Sequence, residues 1–224
     1  MLIKVENLSA YYQNNKVFDN ISFSVHNDDY LCIVGENGSG KTTLMRALLG
    51  LDIKYTGRIE FCGLSKKQIG WLPQSLNSAA DFPSSVAEVV LSGFGGKNFW
   101  GFGFSKEQRN QAQENMRMLG IEGLSKKAFF NLSGGQKQKA LLCRALCASE
   151  GVLLLDEPTA GLDPESQAEL YSAIASLNQN GTAIIMITHD TKRAVQEAKH
   201  ILSLGNSGWF YGTADEYLGF GGAV

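Results

Sequence analysis

Residues Gly35 to Thr43 read GENGSGKTT. The first eight of them fit the spacing G-x-x-x-x-G-K-[ST] at every fixed position. Gly35, Gly38 and Gly40 allow backbone conformations that aim successive N–H groups at phosphate oxygens, with Asn37 and Ser39 between them. The loop also has the flanks such a cradle needs. The apolar run YLCIVG before it predicts a buried strand, and KTTLMRALLG after it predicts a helix with Gly50 as its stop. A helix beginning at the loop adds a favourable dipole for an anion. Lys41 is expected to reach the β- and γ-phosphates of a nucleotide, and the Thr42 hydroxyl to coordinate Mg²⁺. A chance glycine loop explains none of this order.

A Mg²⁺ site needs a second anchor at a neighbouring strand end, and GVLLLDEP supplies one. Val152 to Leu155 predict a buried strand, and Asp156 emerges at its C-terminal edge, where α/β sheets bind ligands. Glu157 follows at once, placed to orient an attacking water and accept its proton. The rest of the chain predicts an α/β fold with a mainly parallel sheet. Its opening third reads as strands LIKVENLSAYY, VFDNISFSV and GRIEFCG. SSVAEVVLSGF and SKEQRNQAQENMRMLGI read as helices, and they make 75–149 a helical lobe inserted between core segments 1–74 and 150–224. PESQAELYSAIASLNQN and KRAVQEAKH read as helices around the strand TAIIMITHD, and HILSLGNSGWFYG as a closing hairpin. There is no internal repeat and no low-complexity linker.

Composition narrows the function classes. The 224 residues are 44% hydrophobic and 19% charged, with net charge −2 and no long basic run, so a nucleic-acid surface has no support. No apolar run approaches the roughly 18 residues that span a bilayer. MLIKVENLSAYY lacks a signal-peptide core, which predicts a cytoplasmic protein with any membrane role reached through a partner. Cys143 and Cys147 fall on one face of a helix and read as small buried apolar residues. The three histidines are scattered.

LSGGQ at Leu132 to Gln136 opens another glycine-rich helix. Ser133 and the N–H groups of Gly134 and Gly135 form a phosphate-ready start without a lysine or metal anchor beside it, which makes it a half-site. The succession GENGSGKTT, LPQ (Leu72 to Gln74), LSGGQ, LLLDEPTAGLD (Leu153 to Asp163) and THD (Thr188 to Asp190) resembles the ATP-binding subunit of ABC transporters across nearly the whole chain. The resemblance implies an ABC-type ATPase core with an N-terminal antiparallel β subdomain and an inserted helical subdomain. It implies a head-to-tail homodimer in which the loop of one subunit, Gly35 to Thr43, and Ser133 to Gln136 of the other close on one ATP. Gln74 resembles the glutamine that senses Mg²⁺ and the attacking water, His189 the switch histidine at the γ-phosphate, and Asp163 the aspartate working across the dimer. An aromatic near the N-terminus should stack on adenine. Tyr11 and Tyr12 both qualify, and alignment to the loop favours Tyr12.

Integral-membrane permease subunits and, indirectly, an extracytoplasmic solute-binding protein are the implied partners, which would hold the chain on the inner face of the membrane. VVLSGF, FWGFGFSKEQR, LGIEGL and KKQIGWLPQ are similar to ATPases of zinc and manganese importers, and somewhat to those of iron-chelate and cobalamin importers. A non-transport ABC-type ATPase acting on an envelope or assembly complex is the other class. Phe99, Trp100, Phe102 and Phe104 read either as packing beneath a loop or as a permease-docking surface.

Overall fold

The computed structural model describes residues 1–12, 15–74, 84–95, 103–205 and 208–221. Three strands, β1 (Ile3–Tyr12), β2 (Asn15–Val25) and β4 (Lys54–Phe61), make an antiparallel sheet in the order β2-β1-β4. Six others make the central sheet: β3 (Tyr30–Gly35), β5 (Ile69–Leu72), β6 (Val152–Asp156), β7 (Ala183–Ile187), β8 (His200–Gly205) and β9 (Gly208–Thr213). Their order is β5-β6-β7-β3-β8-β9, parallel throughout except for the terminal hairpin β8-β9. The helices are α1 (Lys41–Leu49), α2 (Val86–Leu91), α3 (Lys106–Met118), α4 (Gly134–Ala148), α5 (Pro164–Gln179), α6 (Thr191–Glu197) and α7 (Ala214–Gly219).

The middle strands β3, β6 and β7 are buried on both faces, which is why they read as unbroken apolar runs. Alternate residues of one strand serve different layers. Tyr30, Cys32 and Val34 of β3 join Leu153 and Leu155 of β6 in a core shared with α2 to α5. Leu31 and Ile33 join Val152 and Leu154 in a second core, under the antiparallel sheet and α1. Cys143 and Cys147 are buried in the first of these cores as free thiols. Phe104 is half-buried and packs against the same core; Phe99, Trp100 and Phe102 lie outside the described residues. Two short elements escape the sequence patterns. β5 has four residues, too few for a period to show, and α7 is a single capped turn and a half from Thr213.

This topology sets the site. β3, β6 and β7 are neighbours in the sheet and run the same way, so Gly35, Asp156 and Ile187 end at one edge. The loop before α1, Glu157 and His189 are therefore brought together although they are far apart in the chain.

Candidate functional site

A cavity of about 530 Å³ opens at that edge. Its wall holds Tyr12, Asn37, Gly38, Gly40, Lys41, Thr42, Thr43, Gln74, Glu157 and His189, with Val17 added. Tyr12 is 62% exposed at the mouth, an aromatic face presented to whatever enters; Tyr11 is half-buried and is not in that wall. Val17 has no chemistry a sequence could flag. Only its place opposite the loop reveals it.

The loop is shaped by its glycines. Gly40 is left-handed at φ +98°, and a Cβ there would sit 2.8 Å from Val17 Cγ1. Gly40 is also the N-cap of α1, with no side-chain cap and no acidic residue in the first turn. The first N–H groups of α1 thus have no side-chain acceptor, and an anion is the natural partner. Ser39 Oγ is buried without a partner beside them. Lys41 is 6% exposed and donates to the carbonyl oxygens of Gly35 at 2.7 Å and Glu36 at 2.8 Å. Burial lowers its pKa, while the carboxylates of Glu157 and Asp156 pull it back up.

Two of the sequence candidates converge on the carboxylate of a third, Glu157. Gln74 Nε2 donates to Glu157 Oε2 at 2.6 Å, and His189 Nε2 lies 2.5 Å from Glu157 Oε1. Glu157 itself has φ +47°, unusual for a residue with a side chain. Its N–H donates to Ile187 O at 3.1 Å, tying the ends of β6 and β7 together. Each carboxylate oxygen retains a second lone pair, so Glu157 can still accept a proton while both neighbours hold it.

Asp156 lies just behind this wall. With Thr42 and Gln74 it lines a neighbouring cavity of about 470 Å³ that also contains Arg46. The donors on offer are a hydroxyl, a carboxylate and an amide oxygen, all hard and suited to Mg²⁺. Among the described residues no group of three or more His, Cys, Asp or Glu could cage a metal alone. Burial first, then the charge of Glu157, raises the Asp156 pKa above the ordinary carboxylate range; Lys41, Arg46 and His189 offset this only in part.

The sign of that shift gives a stability test. A carboxyl with a raised folded pKa favours the fold below its unfolded pKa, and this advantage is lost as pH rises through the folded value. At pH 7 the ionised group is a cost. Asp156→Asn should therefore raise the Tm of the nucleotide-free chain by a few degrees at pH 7. The gain should shrink as pH falls towards the usual carboxylate range. Calorimetry at both pH values checks this, and a lower Tm at neutral pH would contradict it.

The remaining candidates stand outside the cavity. Ser133 is the N-cap of α4, and its Oγ accepts from Gln136 N at 3.3 Å while Gln136 Oε1 accepts from Ser133 N at 3.3 Å. This reciprocal capping box occupies the N–H groups of Ser133 and Gln136 with the helix's own side chains and leaves those of Gly134 and Gly135 to other acceptors. Gly134 is exposed. Gly135 is buried because α5 crosses it, and a Cβ there would meet Ser166 Oγ at 2.7 Å. Asp163 caps α5 by accepting from Ser166 N at 2.9 Å. Gln138 also emerges here, donating to Pro158 O at 2.7 Å and so linking α4 to the segment that carries Glu157.

Comparison with known proteins agrees with this geometry. Residues 18–160 match the family model described as ABC transporter. The chain is 32% identical over 221 residues to the manganese transport system ATP-binding protein MntB of Halalkalibacterium halodurans, covering 96% of this chain and 88% of that protein. It is 33% identical over 216 residues to the zinc transport system ATP-binding protein AdcC of Streptococcus pneumoniae, covering 92% of each. Among solved structures, a metal-chelate type ABC transporter in an inward-facing conformation superposes with a TM-score of 0.87 at 31% identity, over 97% of this chain and 85% of that one.

Proposed function

The chain belongs to the ABC transporter family, as an ATP-binding subunit that hydrolyses ATP and works with a membrane permease, and from that premise we propose that it powers import of a divalent metal cation, zinc or manganese. The likeness to MntB and AdcC supports the metal, and the observation that carries the chemistry is Glu157 held between Gln74 and His189 over the phosphate loop. In this reading the loop N–H groups and Lys41 bind the β- and γ-phosphates, and Tyr12 stacks on adenine. Thr42, Asp156 and Gln74, which line one cavity, would hold Mg²⁺. When bound, that ion neutralises charge developing on the phosphate oxygens. Glu157 orients a water in line with the γ-phosphate and takes its proton, and His189 and Gln74 keep the carboxylate aimed.

The catalytic core is assigned to 1–74 and 150–224 and a moving helical lobe to 75–149. Among the described residues no helix is long and apolar enough to cross a membrane, so the permease supplies the anchorage to the inner face, with an extracytoplasmic binding protein delivering the cation. Uptake of labelled zinc and manganese in a deletion strain tests the cargo. Normal uptake of both alongside loss of another solute would overturn it.

Ser133 to Gln136, which do not line their own subunit's cavity, serve the site of a second copy. Ser133→Arg should therefore abolish ATP-induced dimers of a hydrolysis-deficient chain on size-exclusion chromatography. Losing the N-cap costs only about 1 kcal/mol, so the variant should remain folded. A folded Ser133→Arg chain that still dimerises with ATP would remove the half-site from the scheme.

A further inference from the structure

Tyr171 carries no motif, yet it connects the two segments that bear Glu157 and His189. It lies on α5, 4% exposed, with its hydroxyl between the turn after β6 and the turn after β7. Thr159 Oγ1 donates to Tyr171 Oη at 3.2 Å, and Tyr171 Oη pairs with Thr188 Oγ1 at 3.4 Å. Thr188 Oγ1 also accepts from the N–H of Asp190 at 3.1 Å. A phenol has one hydrogen to give. Thr159 donates to its oxygen, and either hydroxyl of the Tyr171–Thr188 pair can supply the hydrogen between them. The chain therefore runs from Thr159 through Tyr171 to Thr188, where it meets the Asp190 N–H coming from the other side. It begins two residues beyond Glu157 and ends one residue before His189.

The other face of the tyrosine is also used. Arg193 lies over the ring at 4.7 Å from its centroid, and the N–H of Arg193 donates to Asp190 Oδ1 at 2.9 Å at the start of α6. A cavity of about 200 Å³, lined by Glu157, Thr159, Gln167, Tyr171, Thr188 and His189, separates the two turns around this bridge. The backbone bond from Glu157 N to Ile187 O fixes the turns at their roots, and beyond it the space between them is open. Without a tie further out, the Glu157–His189 pair would have to hold the turns in register by itself.

We infer that Tyr171 is a positioning residue for hydrolysis, whose hydroxyl sets the placement of the Glu157 carboxylate relative to His189. The inference rests on the reading of Glu157 as the base. It specifies that the phenol hydrogen bonds, rather than the bulk of the ring, matter for turnover. Tyr171→Phe keeps the packing and the Arg193 contact and removes only the bridge.

Steady-state hydrolysis by the full chain reads the effect. Tyr171→Phe should lower kcat about tenfold and leave the KM for ATP within about twofold, since small misplacements of reacting groups act on the chemical step. Thr159→Val should give a similar fall, Thr159→Ser should restore the wild-type rate, and Thr159→Val with Tyr171→Phe should be no slower than either alone, because both cut one chain. A wild-type kcat for Tyr171→Phe, losses that multiply, or a fall only in proportion to the unfolded fraction would each overturn the bridge. Glu157→Gln measured beside them separates the two levels. If it is inactive while Tyr171→Phe is normal, only the bridge fails; if it hydrolyses normally, the underlying assignment of the base fails first.

Discussion

Glu157→Gln is expected to lower ATP turnover by at least about a hundredfold, the usual worth of a positioned general base, while ATP stays bound. The glutamine keeps the length of the side chain and one oxygen acceptor. It can still face Gln74 or His189, both of which lie on Glu157 at hydrogen-bond distance. What disappears is the ability to take the water's proton. Removing a negative charge next to Asp156 and the incoming triphosphate also favours binding. The same variant should therefore accumulate as an ATP-bound dimer on size-exclusion chromatography, because nothing consumes the nucleotide that joins the subunits. Turnover within a fewfold of wild type would assign the base elsewhere, and a monomer at saturating ATP would count against the head-to-tail pairing.

Lys41→Ala should act one step earlier, on binding itself. Lys41 is buried, and among the described residues its ammonium has the carbonyls of Gly35 and Glu36 as hydrogen-bond partners. Those carbonyls hold it at the mouth of the loop until a stronger acceptor arrives. Phosphate oxygens are such acceptors, and charge-assisted hydrogen bonds contribute about 1.5–3 kcal/mol each. Losing two of them corresponds to roughly a hundredfold or more in Kd, and hydrolysis should become undetectable. Titration calorimetry with ATP reads the first effect and phosphate release the second. Affinity close to wild type would mean that the loop N–H groups suffice and that the lysine has another role.

Much of this site is legible in the sequence because phosphate and metal chemistry demands fixed residue types at fixed spacings. The loop at Gly35, the strand ending at Asp156 and the histidine after β7 each announce themselves locally. What joins them is not local. β7 inserts between β6 and β3, and no pattern within any of these strands records that neighbourhood. Tyr171 stays silent for the same reason: on an amphipathic helix it reads as one more buried aromatic, and its partners come from two other elements. The start of α4 is a different case. Ser133 and Gln136 have the spacing of a capping box, so the signal was present, but the same residues also read as a phosphate cradle. Both readings describe donors that need acceptors, and only coordinates show which acceptor a lone chain provides. Gly135 likewise reads as an N–H donor of that cradle, whereas a Cβ there would meet Ser166, which shows a demand for space as well.

The left-handed backbone of Glu157 has a practical consequence for anyone engineering this chain. A non-glycine residue at φ +47° carries strain on the order of 1–2 kcal/mol, which the surrounding fold tolerates. Asn or Gly accepts that backbone more readily. A library sorted for heat resistance alone would therefore enrich replacements at this position, and the survivors would be robust, well-behaved and inert. Thermal selection on this scaffold needs a turnover screen running beside it from the first round.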